Sequence, residues 1–276
     1  MKDSEKIWRY MDLAKLVSLL SKKALYFPCP QKFGDPFEGY FSRGYFKERA
    51  SEMMKKIKDT KLMRDGALAD SQKLTPYHQD YHKFVLKRDH AIKVCDEAID
   101  GIDKGLITAI EENKIKNGVN CWHKSEYESA AMWNLYTNDG QGIAVESTIK
   151  QLKDSIICER PLIFESVIYR AEDEPKNDQH PKHDILIFKR KAFEHEKEFR
   201  AIIDLCDKEM GVGTFVRCDL HKLINRIHIS PYLEPYFVEI VKEICVGKMQ
   251  NVDELVTRSK LLDKPDYSIS ELANEL

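Results

Sequence analysis

The chain carries almost no net charge: 44 Lys and Arg stand against 46 Asp and Glu, leaving −2 over 276 residues. Overall electrostatics therefore gives no reason to expect DNA or an anionic membrane as partner, although a local basic patch is compatible with that balance. No apolar run approaches the roughly 20 residues that span a bilayer. The hydrophilic start, Met1-Lys2-Asp3-Ser4-Glu5-Lys6, lacks the apolar core of a signal peptide. Seven cysteines, an odd number with no C-x-x-C spacing, argue against a disulfide framework and a structural zinc site. The expectation is a cytoplasmic protein with reduced cysteines and no membrane association. Several catalytic signatures are absent too. There is no G-x-x-x-x-G-K-[ST], H-E-x-x-H or G-x-S-x-G motif, and no G-x-G-x-x-G after a strand. P-loop NTPases, zincins, α/β-hydrolases and ordinary Rossmann dehydrogenases are thereby set aside.

What is present is a globular composition, 42% hydrophobic and 33% charged, long enough to bury a substantial core. Ile7–Met11 reads as a short strand. Asp12 is a good N-cap for a helix through Lys22, whose Leu13, Leu16, Val17, Leu19 and Leu20 share one face. Ala24–Phe27 reads as a second strand, and residues 31–39 as a loop punctuated by Gly34, Pro36 and Gly39. From about residue 41 to 116 the texture is helical and charged, with a loop or loose helix end at Asp59–Pro76. Strands are expected at Val119–His123, Ile143–Glu146, Leu162–Tyr169 and Arg226–Ser230, with a further short one around Val256. Helices are expected at Glu126–Tyr136, Ile185–Phe193 and Glu234–Val246. Glu198–Leu205 and Thr214–Cys218 read as a hairpin around Met210-Gly211-Val212-Gly213. Residues 172–183, with Pro175 and Pro181 among polar neighbours, read as a mobile loop. The order predicts a single α+β domain over residues 1–276, with a mixed, mainly antiparallel sheet core, flanking helices and a helical insertion.

Three clusters place charge beside large rings, where charged groups need partners or a ligand. In the first, Arg9 lies between Trp8 and Tyr10 on the first strand, and Asp35-Pro36-Phe37-Glu38 follows the second. A guanidinium held by aromatic faces suits phosphate or carboxylate recognition; a structural pair with Glu38 or Glu198 is the alternative. The second combines Trp122 and His123 with Trp133 and Tyr136, as walls of a cleft or as core. His123, between a strand and a helix, is the histidine to test as an acid or base. The third is Phe193-Glu194-His195-Glu196-Lys197-Glu198-Phe199-Arg200. If extended, it points Glu194, Glu196 and Glu198 the same way, with Arg200 continuing the row; if helical, only Glu194 and Glu198 are neighbours. Like charges so close raise one another's pKa unless cations stand opposite.

These residues, together with Leu25-Tyr26-Phe27, Glu128, Met132, Gly142-Ile143-Ala144-Val145 and Lys189-Arg190, resemble a bacterial family catalogued as domain of unknown function 2971. The resemblance runs through most of the chain, with residues 45–115 the least family-like. More distantly, the chain resembles ADP-ribosyltransferase-like toxins. In that fold a first strand bears a residue that holds NAD, a second strand brings an aromatic to nicotinamide, and a late strand delivers a glutamate. The resemblance implies NAD as substrate, Arg9, Tyr10, Tyr26 and Trp133 as its binding residues, and Glu198, Glu196 and Arg9 as the catalytic set. Asp35, Glu38, Trp122, His123, Tyr136 and Arg200 complete the substrate site. A bacterial toxin or antiphage effector acting on a protein or nucleic-acid target is the implied role. The sequence leaves oligomeric state open.

Two other readings compete. A metal-dependent nuclease or phosphodiesterase built on Asp35, Glu38, Glu194, Glu196 and Lys197 wants an acid two residues before lysine, and His195 stands there. A non-catalytic sensor with an aromatic-lined cleft is compatible with the same residues.

Overall fold

The computed structural model describes residues 2–35, 37–40, 51–72, 81–137, 142–171 and 184–264. Strand β1 (Lys6–Met11) leads into α1 (Leu13–Lys22), started by Asp12, whose carboxylate accepts from the Lys15 amide at 2.8 Å. The apolar spacing of α1 buries Leu16, Leu19 and Leu20, and Lys23 in the left-handed region (φ 47°) ends it before β2 (Ala24–Pro28). Two long helices follow, α2 (Ser51–Gln72) and α3 (Tyr81–Lys116), packed on each other. Strand β3 (Asn117–Lys124), α4 (Ala130–Tyr136), β4 (Ile143–Thr148), α5 (Ile149–Ser155), β5 (Leu162–Ser166) and β6 (Ile168–Arg170) come next. A short α6 (Asp184–Ile187), β7 (Phe188–Arg190) and a 3-10 turn (Lys191–Glu196) precede β8 (Glu198–Asp204). The chain continues through β9 (Gly213–Arg217), α7 (Leu220–Leu223), β10 (Arg226–Ile229), α8 (Tyr236–Cys245), α9 (Val252–Leu255) and β11 (Val256–Arg258). No described helix is long and apolar enough to cross a membrane.

The fold is α+β. Seven strands form one sheet in the order β11-β10-β4-β1-β3-β8-β5, antiparallel except for the β10–β11 pair. The pairing of β1 with β3 is the weak seam. It is registered at Ile7–Lys124 and Trp8–His123 and goes no further, while β1 follows β4 as far as Met11–Ile143 and β3 follows β8 from Asn117 to His123. Beyond Trp8, β1 and β3 therefore part.

Strand alternation divides the sheet into two faces. Ile7, Met11, Trp122, Val145, Phe199 and Ile227 share the larger core with α1, α5 and the separate β2–β9 pair. The other face carries two smaller apolar clusters. One joins Trp8, Tyr10 and Ala144 to Met132 and Trp133; the other joins Val119 and Ile202 to Leu186 and Ile187, with Phe33 and Cys121 against it.

Several expectations change. Strand β9 pairs with β2, not with β8, so the hairpin around residues 210–213 does not form. Gly213 is required there by its φ of +110° and because a Cβ would lie 2.4 Å from the Phe27 carbonyl. Asp59–Gln72 is continuous helix rather than a loop or loose helix end, and the strand expected at Leu162–Tyr169 breaks into two. Helix α4 begins at Ala130, not Glu126, because Ser129 caps it; Ile185–Phe193 turns from helix to strand to 3-10 turn. The loop expected at 172–183, Pro36 and residues 73–76 lie outside the described residues.

Candidate active site

Between the two small apolar clusters, on the same sheet face, lies a polar strip formed by Cys121 and His123 of β3 and Glu198 and Arg200 of β8. The register pairs Cys121 with Arg200 and His123 with Glu198. A cavity of about 490 Å³ opens over this strip and over the parting of β1 from β3. Tyr10 and Arg9 border it from β1, Tyr136 and Leu135 from α4, Phe33 and Asp35 from the loop after β2, and Phe193 from the 3-10 turn.

Its floor is an ion-pair network of buried side chains. Lys189 Nζ bonds both Glu196 and, at 2.6 Å, Glu198 Oε1. Arg200 Nε lies 2.7 Å from Glu198 Oε2, and its Nη1 reaches Glu38 at 2.5 Å and the Leu186 carbonyl at 2.7 Å. Burial alone pushes Glu198 upward, but Arg200 and Lys189 beside it hold its carboxyl well below the usual range. Glu196 goes the other way: burial and the hydrogen bond it shares with Glu198 push it up to about 7. One member of this carboxyl pair is thus firmly ionised while the other exchanges a proton near neutrality. Tyr136 borders the same cavity, and burial of its hydroxyl, with both glutamates nearby, raises its pKa.

The local backbone explains how Glu196 and Glu198 converge. They lie neither on one extended row nor on one helix, the two arrangements the spacing allowed, because Glu196 ends the 3-10 turn and Lys197 adopts φ 41°. Glu194 is left exposed outside the network. Behind the cavity, Asp35 accepts from the Phe37 amide at 3.0 Å and pairs with Arg190 at 2.7 Å. The loop carrying Glu38 is tied to α3, because the Tyr40 hydroxyl bonds Glu111 at 2.8 Å and the Lys114 ammonium sits 3.8 Å from the Tyr40 ring centre.

The remaining sequence candidates are spread more widely. Alternation puts the Arg9 side chain with Ile7 and Met11, on the face opposite Tyr10. Its guanidinium lies 5.8 Å from the Trp122 ring centre, its Nη1 is buried without a partner, and burial lowers its pKa to about 10. Arg9 nevertheless borders the same cavity as Glu198. The structural pairs considered for it, with Glu38 or Glu198, do not form: Arg200 takes both. Trp122 donates from Nε1 to Asn120 at 2.7 Å and meets the cavity at the β1–β3 parting. Trp133 is fully buried behind Tyr10, edge-on at 5.0 Å, and donates to Glu128 at 2.9 Å without reaching the cavity. Tyr26 is also away from it, donating to the Val212 carbonyl at 2.7 Å and lying 4.9 Å from Phe215. Lys189, which the sequence offered only as a counter-charge for an exposed acidic segment, instead has its side chain buried between Glu196 and Glu198. The signal was there, since carboxylates at 196 and 198 entering a core demand a cation.

Among the described residues no group of three or more His, Cys, Asp or Glu is placed to hold a metal ion. Of the donors considered for a nuclease, Asp35 is committed to Arg190 and Glu194 and Lys197 are exposed.

No curated protein and no solved structure matches the chain. Residues 132–201 match the model of a family described as protein of unknown function (DUF2971). The chain is thus similar to that family from α4 to β8, the stretch that supplies Tyr136, Lys189, Glu196, Glu198 and Arg200.

Proposed function

We propose that the cavity is the active site of an NAD-using enzyme that cleaves the bond between nicotinamide and ribose, as an ADP-ribosyltransferase or NAD glycohydrolase. The observation that carries this reading is that one cavity is bordered both by Glu198, firmly ionised on a late strand, and by Arg9 of the first strand, whose Nη1 is buried without a partner. NAD offers an anionic pyrophosphate to one and, in the transition state, a cationic ribose to the other.

In this reaction the C1′–N bond breaks with its electron pair leaving on nicotinamide, positive charge spreads over C1′ and the ring oxygen, and an acceptor oxygen bonds C1′ and loses its proton. Glu198, kept ionised and held still by Lys189 and Arg200, is the group that favours the developing charge without reorganising. Glu196 hydrogen-bonds Glu198 and fixes its orientation. Tyr10, Tyr136, Phe33 and Phe193 supply the rings beside which a nicotinamide or adenine fits. Trp133 has a supporting role here by bracing Tyr10, and Tyr26 lies away from the cavity. The biological setting, a toxin or an antiphage effector modifying a protein or nucleic-acid target, follows from the resemblance to such toxins.

The test is nicotinamide release from NAD, alone and with lysate as acceptor source, measured beside calorimetric NAD binding. Wild type is expected to bind and turn over NAD, and E198Q to lose about 100-fold or more of the rate. A correctly folded E198Q that consumes NAD at the wild-type rate removes the proposal.

A further inference from the structure

The proposed reaction releases a proton from the acceptor, which needs a base beside Glu198. Lys189 and Arg200 engage both oxygens of Glu198 and keep it ionised, and Lys189 also bonds Glu196. His123 stands next to them. It is the cross-strand partner of Glu198, it borders the cavity, and it is buried. Its Nδ1 lies 2.7 Å from the backbone carbonyl of Glu196. A carbonyl oxygen can only accept, so Nδ1 carries the hydrogen. A neutral imidazole with its proton on Nδ1 has a lone pair on Nε2.

We propose that His123 is the general base of this site, with Nε2 taking the proton from the acceptor as its oxygen bonds C1′. The inference rests on the NAD reading and deepens it by naming the acceptor's chemistry. An imidazole lone pair serves an acceptor that arrives protonated, such as water or a hydroxyl, and is not needed by a carboxylate. The proton passes to Nε2, giving an imidazolium beside Glu198; Nδ1–H keeps its bond to the Glu196 carbonyl throughout.

The surroundings keep the ring ready for this. Tyr10 packs edge-on from β1 with ring centres 6.2 Å apart, Glu198 faces it from β8, and Glu196, Lys197 and His195 approach from the turn before β8. Burial lowers the pKa of His123, and Lys197 and His195 add to that, against the Glu196 carbonyl, which raises it. The base is therefore unprotonated at neutral pH, and the rate should fall on acidification below the ordinary histidine range.

Two measurements test this. Nitrogen NMR of the imidazoles in the wild-type protein should find His123 neutral at pH 7 with hydrogen on Nδ1; hydrogen on Nε2, or an imidazolium, overturns the proposal. In NAD turnover, H123A should lose about 100-fold or more in kcat with little change in KM, lose the acidic limb of the pH profile, and regain rate with added imidazole. Wild-type turnover with an undiminished H123A rate overturns the role of His123 and leaves the NAD reading standing. Wild-type protein that does not consume NAD overturns that reading and this role together.

Discussion

Glu198 and Arg200 stand two positions apart on β8 and face the same way, both buried, with Arg200 Nε 2.7 Å from Glu198 Oε2. Arg200 also holds Glu38, so a single guanidinium compensates two buried carboxylates from distant parts of the chain. Removing it leaves Glu38 without its cation and Glu198 with Lys189 alone. R200M should cost about 3–5 kcal/mol in urea unfolding, the usual penalty for breaking a buried pair. Replacing Glu38, Glu198 and Arg200 together by apolar residues of similar size should cost far less, because no uncompensated charge remains. Equal costs for the two proteins would show that the network contributes through packing alone.

The carboxyl pair sets a pH dependence with a definite sign. Glu196 titrates near 7 in the folded protein against 4.5 for a free glutamate. Between those values the folded chain binds more protons than the unfolded one, so this group lowers stability as pH rises through the window. Glu198 acts oppositely and outside it: its contribution is complete above 4.5 and is lost only as pH falls through its much lower folded value. His123, whose folded pKa lies below 6.5, adds stability that is lost as pH falls from 6.5. In E196Q the falling slope should vanish and the rising slope from His123 should emerge. Urea midpoints across the window decide it, and an unchanged profile in E196Q would refute the assignment.

How much of this was legible depended on distance along the chain. The β1–α1–β2 unit followed from apolar spacing and the Asp12 cap, because those signals act within a few residues. Strands β8 and β9 were both recognisable, yet their partners were not. The glycines at 211 and 213 look like a hairpin turn, whereas Gly213 serves a close approach to Phe27 on β2, which no local pattern encodes. The same limit applies at the site. That Glu196, Glu198 and Arg200 belong together was readable from their charge beside an apolar run. That Lys197 adopts φ 41°, turning Glu196 out of an extended row and onto Lys189, was not, since a positive φ at lysine leaves no sequence mark.

The cysteines offer an inexpensive check on the architecture. Cys121 borders the cavity, but burial pushes its thiol well above the ordinary range, with Glu198 nearby adding to the effect. Burial likewise raises Cys218 to about 12 and Cys245 to about 11. Cys206 is exposed. Iodoacetamide at neutral pH should therefore label Cys206 first and leave Cys121, Cys218 and Cys245 unmodified until the protein unfolds, as peptide mass spectrometry will report. Early labelling of Cys121 would mean that the cavity floor is open and the network not sealed.

Arg9 separates stability from function. Its guanidinium is buried against Trp122 with Nη1 unpartnered, and among the described residues no carboxylate is paired with it. A buried cation without a counter-charge stabilises little, since the aromatic contact, about 0.5–2 kcal/mol, is set against desolvation. R9M should therefore unfold within about 1 kcal/mol of wild type, in contrast to R200M. If Arg9 is retained for an anionic ligand, the same substitution should weaken NAD binding by roughly 10- to 100-fold, the loss of one charge-assisted hydrogen bond. Calorimetric titration of NAD into both proteins, beside their urea curves, gives the comparison. A strongly destabilised R9M whose NAD affinity is intact would make Arg9 a structural residue and remove the anion-holding end of the proposed site.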